Sequence, residues 1–182
     1  MIIEETPLQD CYILKPKVFE DQRGYFFETY NTATLKDTVL GSYNWVQENE
    51  SKSGKGVLRG LHFQKGDFAQ SKLVRVITGQ VFDVAVDLRK DSPTFGQSYS
   101  VLLSEKNKTQ FLIPRGFAHG FLVLSDIAVF SYKCDNLYNA KEEAGVIYDD
   151  EALGIKWPEL DVAYLLSEKD KTLPSYQNCY KF

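Results

Sequence analysis

Residues 57 to 87 restrict the fold more than any other part of the chain. They hold three apolar runs, beginning at Val57-Leu-Arg-Gly-Leu-His-Phe-Gln64, Lys72-Leu-Val-Arg-Val and Gln80-Val-Phe-Asp-Val-Ala-Val86. Val74, Val76, Val81, Phe82, Val84 and Val86 are β-branched or aromatic, which suits a pleated, buried surface. Thr78-Gly-Gln80 is a short turn between two of the runs, and it predicts that they pair as a hairpin. The same runs carry His62, Lys72 and Asp83. A buried ionisable group must find a partner or shift its pKa, because an unpaired buried charge is expensive. Three of them in one stretch point to a lined pocket rather than a sealed core.

The pattern continues on both sides. A turn is expected at Asp21 to Gly24 and a short helix near Thr32 to Leu40. From Trp45 to Ser51 the chain alternates, with Trp45, Gln47, Asn49 and Ser51 on one polar face that is exposed or lines something wet. Further strands are read at Tyr99–Leu103, Gln110–Ile113, His119–Leu124 and Ile127–Cys134, with Glu105 to Lys108 as a hairpin loop. After Tyr138 the texture is mixed, and short helices are expected towards the end. Many short strands with turn signals every eight to twelve residues or so indicate a sandwich or barrel. A double-sheet jelly roll fits best, because its interior can hold a small ligand. No repeat or linker interrupts residues 1–182, so one domain is expected.

Composition narrows the function classes. The net charge of −4 advertises neither a nucleic-acid nor a membrane partner. Aromatic residues make up 14% of the chain, which suits cross-strand packing or a pocket that stacks a flat ligand. Cys11, Cys134 and Cys179 have no metal or disulfide spacing, which points to a reducing compartment. The first residues lack the features of a signal peptide and no run reaches membrane-spanning length, so a cytoplasmic location is expected.

Only two histidines are present, and each follows an Arg-Gly pair: Arg59-Gly-Leu-His62 and Arg115-Gly-Phe-Ala-His119. Metal-dependent jelly rolls of the cupin type use three histidines and a carboxylate. Two histidines cannot build that set in one chain, so a metal-free pocket is expected; no cofactor is expected either. His62 is then the natural proton acceptor, since its unperturbed pKa lies near the operating pH. Lys72 could stabilise an oxyanion, or be a solvated strand lysine. Tyr132 could donate a proton, although a buried strand tyrosine is more often packing. Asp83 should pair, a histidine being the natural partner. Arg23, Arg59 and Arg115 could grip phosphate. Strict alternation sets Arg59 and His62 on opposite faces, so both enter one pocket only with a bulge near Gly60.

From Gly56-Val-Leu-Arg-Gly-Leu-His-Phe-Gln64 onward the chain resembles the dTDP-4-dehydrorhamnose 3,5-epimerase family. The likeness continues through Lys72-Leu-Val-Arg-Val, Gly79-Gln-Val-Phe-Asp-Val-Ala-Val-Asp-Leu-Arg89, Ser92-Pro-Thr-Phe-Gly96 and Ile113-Pro-Arg-Gly-Phe-Ala-His-Gly-Phe121. It reaches Asp21-Gln-Arg-Gly24 near the start, and Ile155-Lys-Trp-Pro158 and Leu166-Ser-Glu-Lys-Asp170 near the end. The resemblance implies an all-β, cupin-like double-stranded β-helix with a few short helices, mainly C-terminal. It implies a homodimer with exchanged N-terminal strands, no metal, and a nucleotide-sugar substrate, dTDP-4-dehydro-6-deoxy-D-glucose. By the same resemblance His62 matches the base, Tyr132 the acid, Asp170 the carboxylate that orients His62, and Lys72 the cation near the C4 oxygen. Asp83 would support His119, itself matched to a sugar or phosphate contact. Arg23 and Arg59 match diphosphate grips. Glu28, Gln47 and Asn49 match nucleotide contacts, Tyr138 a stacking partner for thymine, and Glu143 and Lys169 further substrate contacts. The nearest alternative is a single-centre epimerase of the same fold, acting at C3 or C5 alone.

Overall fold

The computed structural model describes residues 1–182. Four short strands open the chain: β1 (Ile2–Glu5), β2 (Tyr12–Lys15), β3 (Phe19–Asp21) and β4 (Gly24–Phe26). Next come β5 (Gln47–Gly54), β6 (Leu58–Gln64), β7 (Lys72–Thr78), β8 (Gln80–Asp87) and β9 (Ser98–Ser104). The last are β10 (Gln110–Ile113), β11 (Phe117–Val123), β12 (Ile127–Cys134) and β13 (Glu143–Gly145). They form a six-stranded sheet in the order β1-β2-β10-β7-β12-β5, a five-stranded sheet in the order β13-β6-β11-β8-β9, and a separate β3-β4 hairpin. From β5 onward the chain crosses from one large sheet to the other at every step except β8 to β9. This antiparallel, cupin-like jelly roll is the expected fold class.

Two connections differ from their sequence reading. β7 and β8 do not pair across Gly79; β7 is bonded to β10 and β12, and β8 to β9 and β11. Gly79 is a single linking residue with φ +80°, and a methyl group on it would lie 2.0 Å from Ile127 O. So tight a corner turns the chain into the opposite sheet. Glu105 to Lys108 likewise joins β9 to β10 across the sheets and closes no hairpin. A sheet-switching corner and a hairpin look alike in sequence, since both are two apolar runs split by a turn residue.

The core lies between the sheets, where Val74, Val76, Phe111 and Phe130 of one meet Val81, Ala85, Phe117 and Phe121 of the other. Both outer faces are also covered. Leu14, Leu73 and Leu112 pack beneath Leu35 and Leu40. Leu35 ends the single helical turn α1 (Thr32–Leu35), whose free N–H groups at Ala33 and Thr34 are capped by the Asn31 side chain. Leu40 sits in a 3-10 turn at Val39–Ser42. Leu61, Phe63, Val84, Val86 and Ala118 pack beneath Val146, Leu153, Trp157, Tyr176 and Phe182. The mixed C-terminal stretch is therefore the outer layer of the five-stranded sheet. It holds 3-10 turns at Glu151–Leu153 and Asp170–Thr172, while α1, Val39–Ser42 and Gly66–Phe68 precede β7, so helical turns flank the barrel on both sides in sequence.

The bulge demanded by parity is present. His119 pairs with His62 and Phe121 with Arg59, so two residues of β11 span three of β6. Gly60 carries the extra residue's geometry with φ +121°, which favours glycine strongly. A methyl group there would lie 2.6 Å from Gly120 Cα. Gly60→Ala is expected to cost about 2–3 kcal/mol of stability in chemical unfolding, through strain and overpacking. An unchanged midpoint would show that β6 and β11 can separate without penalty.

Candidate active site

A cavity of about 560 Å³ lies between the sheets, lined from β5, β6, β7, β11, β12 and β13 and by the segment 165–170. His62 enters it from β6 in the five-stranded sheet and Tyr132 from β12 in the six-stranded sheet. The two therefore face it from opposite walls. Lys72, Arg59, His119, Glu143, Lys169 and Asp170 also line it.

Asp170 arrives from far along the chain. Leu58 N–H donates to Leu165 O at 3.0 Å and Leu165 N–H donates to Gly56 O at 2.8 Å, while Lys55 Nζ lies 2.6 Å from Asp161. These contacts tie the C-terminal segment to the residues that lead into β6. Asp170 Oδ1 then lies 2.6 Å from His62 Nε2, and its side chain is only 4% exposed. Burial pushes this carboxyl up, but the hydrogen bond and charge of His62, with the N–H of Gly60, outweigh it and hold Asp170 below the ordinary carboxylate range.

Lys72 begins β7, opposite Cys134 on β12. Its Nζ lies 5.9 Å from the centre of the Tyr132 ring and has no hydrogen-bonded partner. Burial pushes the ammonium below the ordinary lysine value, against the opposing pull of Cys134, Asp83 and Glu143. Tyr132 lies opposite Asn49 and Val74. Burial, with Cys134 nearby, pushes its phenol above the ordinary tyrosine value, so it stays protonated at neutral pH.

Asp83 is paired, and its partner is a histidine, the natural one for it. Both its carboxylate oxygens lie 3.0 Å from His119 Nε2, and Asp83 is fully buried. Burial pushes Asp83 up and His119 down, which disfavours the separated charges. Arg59 is bonded within the chain only through Nε, to Ser53 Oγ at 3.1 Å. Glu143 takes an ion pair from Lys169 and a hydrogen bond from Tyr138 Oη at 2.7 Å. Burial pushes Glu143 up, but these two partners hold it below the ordinary range.

Gln47 and Asn49 stand in the same row of β5 as Ser51, which does line the cavity. Gln47 donates to Asn49 Oδ1 at 3.1 Å and accepts from Tyr138 N–H at 3.0 Å, so the row and the Tyr138 loop are one unit. Arg23 and Glu28 are not brought to this cavity. Arg23 tips the β3-β4 hairpin and binds Asp21, while Glu28 accepts hydrogen bonds from Asn31 and Thr34. Arg115, also weighed as a phosphate grip, binds Asp135 outside the cavity. Residues passed over in sequence also contribute. Ser167 supports Asp170, and Phe121 and Phe130 stack at 4.2 Å along the wall. The two rings could have been found by parity, since each lies two residues from His119 or Tyr132.

No group of three or more His, Cys, Asp or Glu side chains is gathered to hold a metal ion. Chemically, a histidine on one wall, a tyrosine on the other and a buried lysine near the tyrosine are groups able to remove a proton beside a carbonyl and return one from the opposite side.

The depressed pKa of Asp170 has a stability consequence. A carboxylate held below its unfolded value, ordinarily about 3.9, stabilises the fold above that pH and loses the contribution as pH falls through the folded value. Between pH 6 and pH 3 the protein should therefore lose up to about 1 kcal/mol more stability than its Asp170→Asn variant, with further loss at lower pH. Equal losses in urea unfolding would mean that the contact with His62 contributes nothing net.

A model of the dTDP-4-dehydrorhamnose 3,5-epimerase family matches residues 5–178. The dTDP-4-dehydrorhamnose 3,5-epimerase of Salmonella typhimurium is 53% identical over 174 residues, which span 96% of this chain and 94% of that protein. The crystal structure of the corresponding enzyme from Elizabethkingia anophelis superposes with a TM-score of 0.92 at 54% identity, over 98% of this chain and 97% of that one. A dTDP-6-deoxy-D-glucose-3,5-epimerase from Legionella pneumophila, crystallised with dTDP-4-keto-L-rhamnose, also gives 0.92, at 46% identity over 97% and 93% of the two chains.

Proposed function

The chain belongs to the dTDP-4-dehydrorhamnose 3,5-epimerase family, and we propose that it performs this isomerisation with His62 as base and Tyr132 as acid. It converts dTDP-4-dehydro-6-deoxy-D-glucose to dTDP-4-dehydro-β-L-rhamnose, inverting C3 and C5. The observation that carries the assignment of roles is the entry of His62 and Tyr132 from opposite sheets into one cavity.

The C4 ketone acidifies the hydrogens on C3 and C5. With Nε2–H of His62 donating to Asp170, Nδ1 is left with the lone pair that takes the proton. Lys72 supplies positive charge to the enolate oxygen on C4, where charge develops. Tyr132 then delivers its own proton to the other face of the same carbon, which inverts it. His62 and Tyr132 are reset by proton exchange with solvent before the second carbon reacts. Only protons move, so no redox cofactor is needed. Each such acid or base supplies roughly 10²–10⁴-fold of rate. Arg59 grips the diphosphate with its unbonded terminal nitrogens, Lys169 and Glu143 border the sugar, and His119, held by Asp83, contacts sugar or phosphate. Tyr138 stacks on the thymine, with Gln47 and Asn49 beside it.

The working unit is a homodimer in which residues 1–182 act as one domain, in the reducing cytoplasm where its three free cysteines persist. The β3-β4 hairpin exposes Phe19, Tyr25 and Phe26 and carries Arg23 away from its own cavity. Exchange of N-terminal segments would deliver Arg23 and Glu28 to the partner subunit's site.

Two measurements test this reading. In D₂O, the protein should place deuterium at both C3 and C5 of the product by NMR, and His62→Ala should place none. Label at one carbon would make it a single-centre epimerase. Label at neither would refute the assignment. Arg23→Ala and His62→Ala subunits, each weak alone, should regain activity when unfolded together and refolded, because a mixed dimer then holds one intact site. No recovery would put Arg23 in its own subunit's site or outside any site.

A further inference from the structure

Ser167-Glu-Lys-Asp170 has the spacing of a capping box. In such a box the serine hydroxyl accepts from the N–H three residues on, and the carboxylate there reaches back to the serine N–H. Here one half is formed. Asp170 N–H donates to Ser167 Oγ at 3.1 Å, and Lys171 N–H donates to Ser167 O at 3.2 Å. The other half is diverted, because the Asp170 carboxylate is bonded to His62 at 2.6 Å and to Gly60 N–H at 3.5 Å. The turn Asp170–Thr172 receives no cap from the Lys169 side chain. Upstream, Leu165 is fixed to Gly56 and Leu58, only two residues before Ser167.

We propose that Ser167 is a positioning residue for the epimerisation. Its hydroxyl fixes the backbone of Asp170 so that the carboxylate points at His62 instead of folding back along its own turn. Without the hydroxyl, the Asp170 N–H loses its acceptor and the carboxylate can swing to the free donors of the turn. The inference rests on His62 being the base. Ser167 also lines the cavity, so direct contact with substrate is the competing account, and it predicts a change in KM.

The test is steady-state kinetics of Ser167→Ala and Ser167→Thr in the full chain, alone and combined with Asp170→Asn, with thermal unfolding of each variant. Ser167→Ala should lower kcat about 10-fold, the lower end of what loss of an orienting partner costs at metal sites. KM should stay within about twofold, since the hydroxyl acts through another group. Ser167→Thr keeps the hydroxyl and should recover most of the loss. In the Asp170→Asn background, Ser167→Ala should cost nothing further, because coupled residues are non-additive. Equal losses in both backgrounds, an effect on KM alone, or an unchanged kcat would overturn the proposal. An inactive parent protein would overturn both this and the assigned reaction, whereas an active parent with additive losses overturns this alone.

Discussion

The close approach of β6 and β11 at two facing glycines is the constraint on which the site depends. A methyl group on Gly60 would lie 2.6 Å from Gly120 Cα, and one on Gly120 would lie 2.6 Å from Arg59 O. The bulge that this contact permits turns Arg59 and His62 to the same side. It also aims Gly60 N–H at the Asp170 carboxylate. The sides taken by Arg59 and His62, and one of the two contacts to Asp170, are thus set by one irregularity in one strand pair. The bulge position requires a residue without a side chain.

Charge in the cavity is arranged by burial. Asp83 and His119 form a closed pair whose members are each pushed towards their neutral forms. Lys72 has no such partner, and its ammonium is available to a developing oxyanion. Asp170 is also buried, though not completely, and its bond to His62 outweighs that burial and keeps the carboxylate charged. Two aspartate–histidine contacts thus differ in electrostatic character. One is a buried pair whose histidine lines the cavity, and the other holds His62 with a charged carboxylate.

The C-terminal layer has two roles that packing links. Val146, Leu153, Trp157, Tyr176 and Phe182 cover the five-stranded sheet. The segment threaded between these contacts crosses to the cavity, where Leu165 locks to Gly56 and Leu58 and presents Asp170 five residues later. Removal of the outer layer would therefore unseat the carboxylate as well as expose the sheet.

Period and composition alone pointed to a sandwich or barrel best fitted by a jelly roll, to the polar Gln47–Asn49–Ser51 row, to a partner for Asp83 with histidine the natural one, and to a bulge near Gly60 if Arg59 and His62 share a pocket. All of these are local consequences of side-chain alternation or of the cost of a buried charge. Resemblance to a family supplied Asp170, which lies 108 residues from His62 and bears no periodic relation to it. Tertiary structure decided the rest. The Gly79 turn became a corner between sheets, because the partners of a strand are chosen by packing and register that its own residues do not encode. Ser167 acquired its place only once Leu165 was pinned beside Gly56. Arg23, at the tip of the β3-β4 hairpin, is bonded to Asp21 and does not line the cavity. Period tells which face a residue takes, and only the folded chain tells what stands opposite.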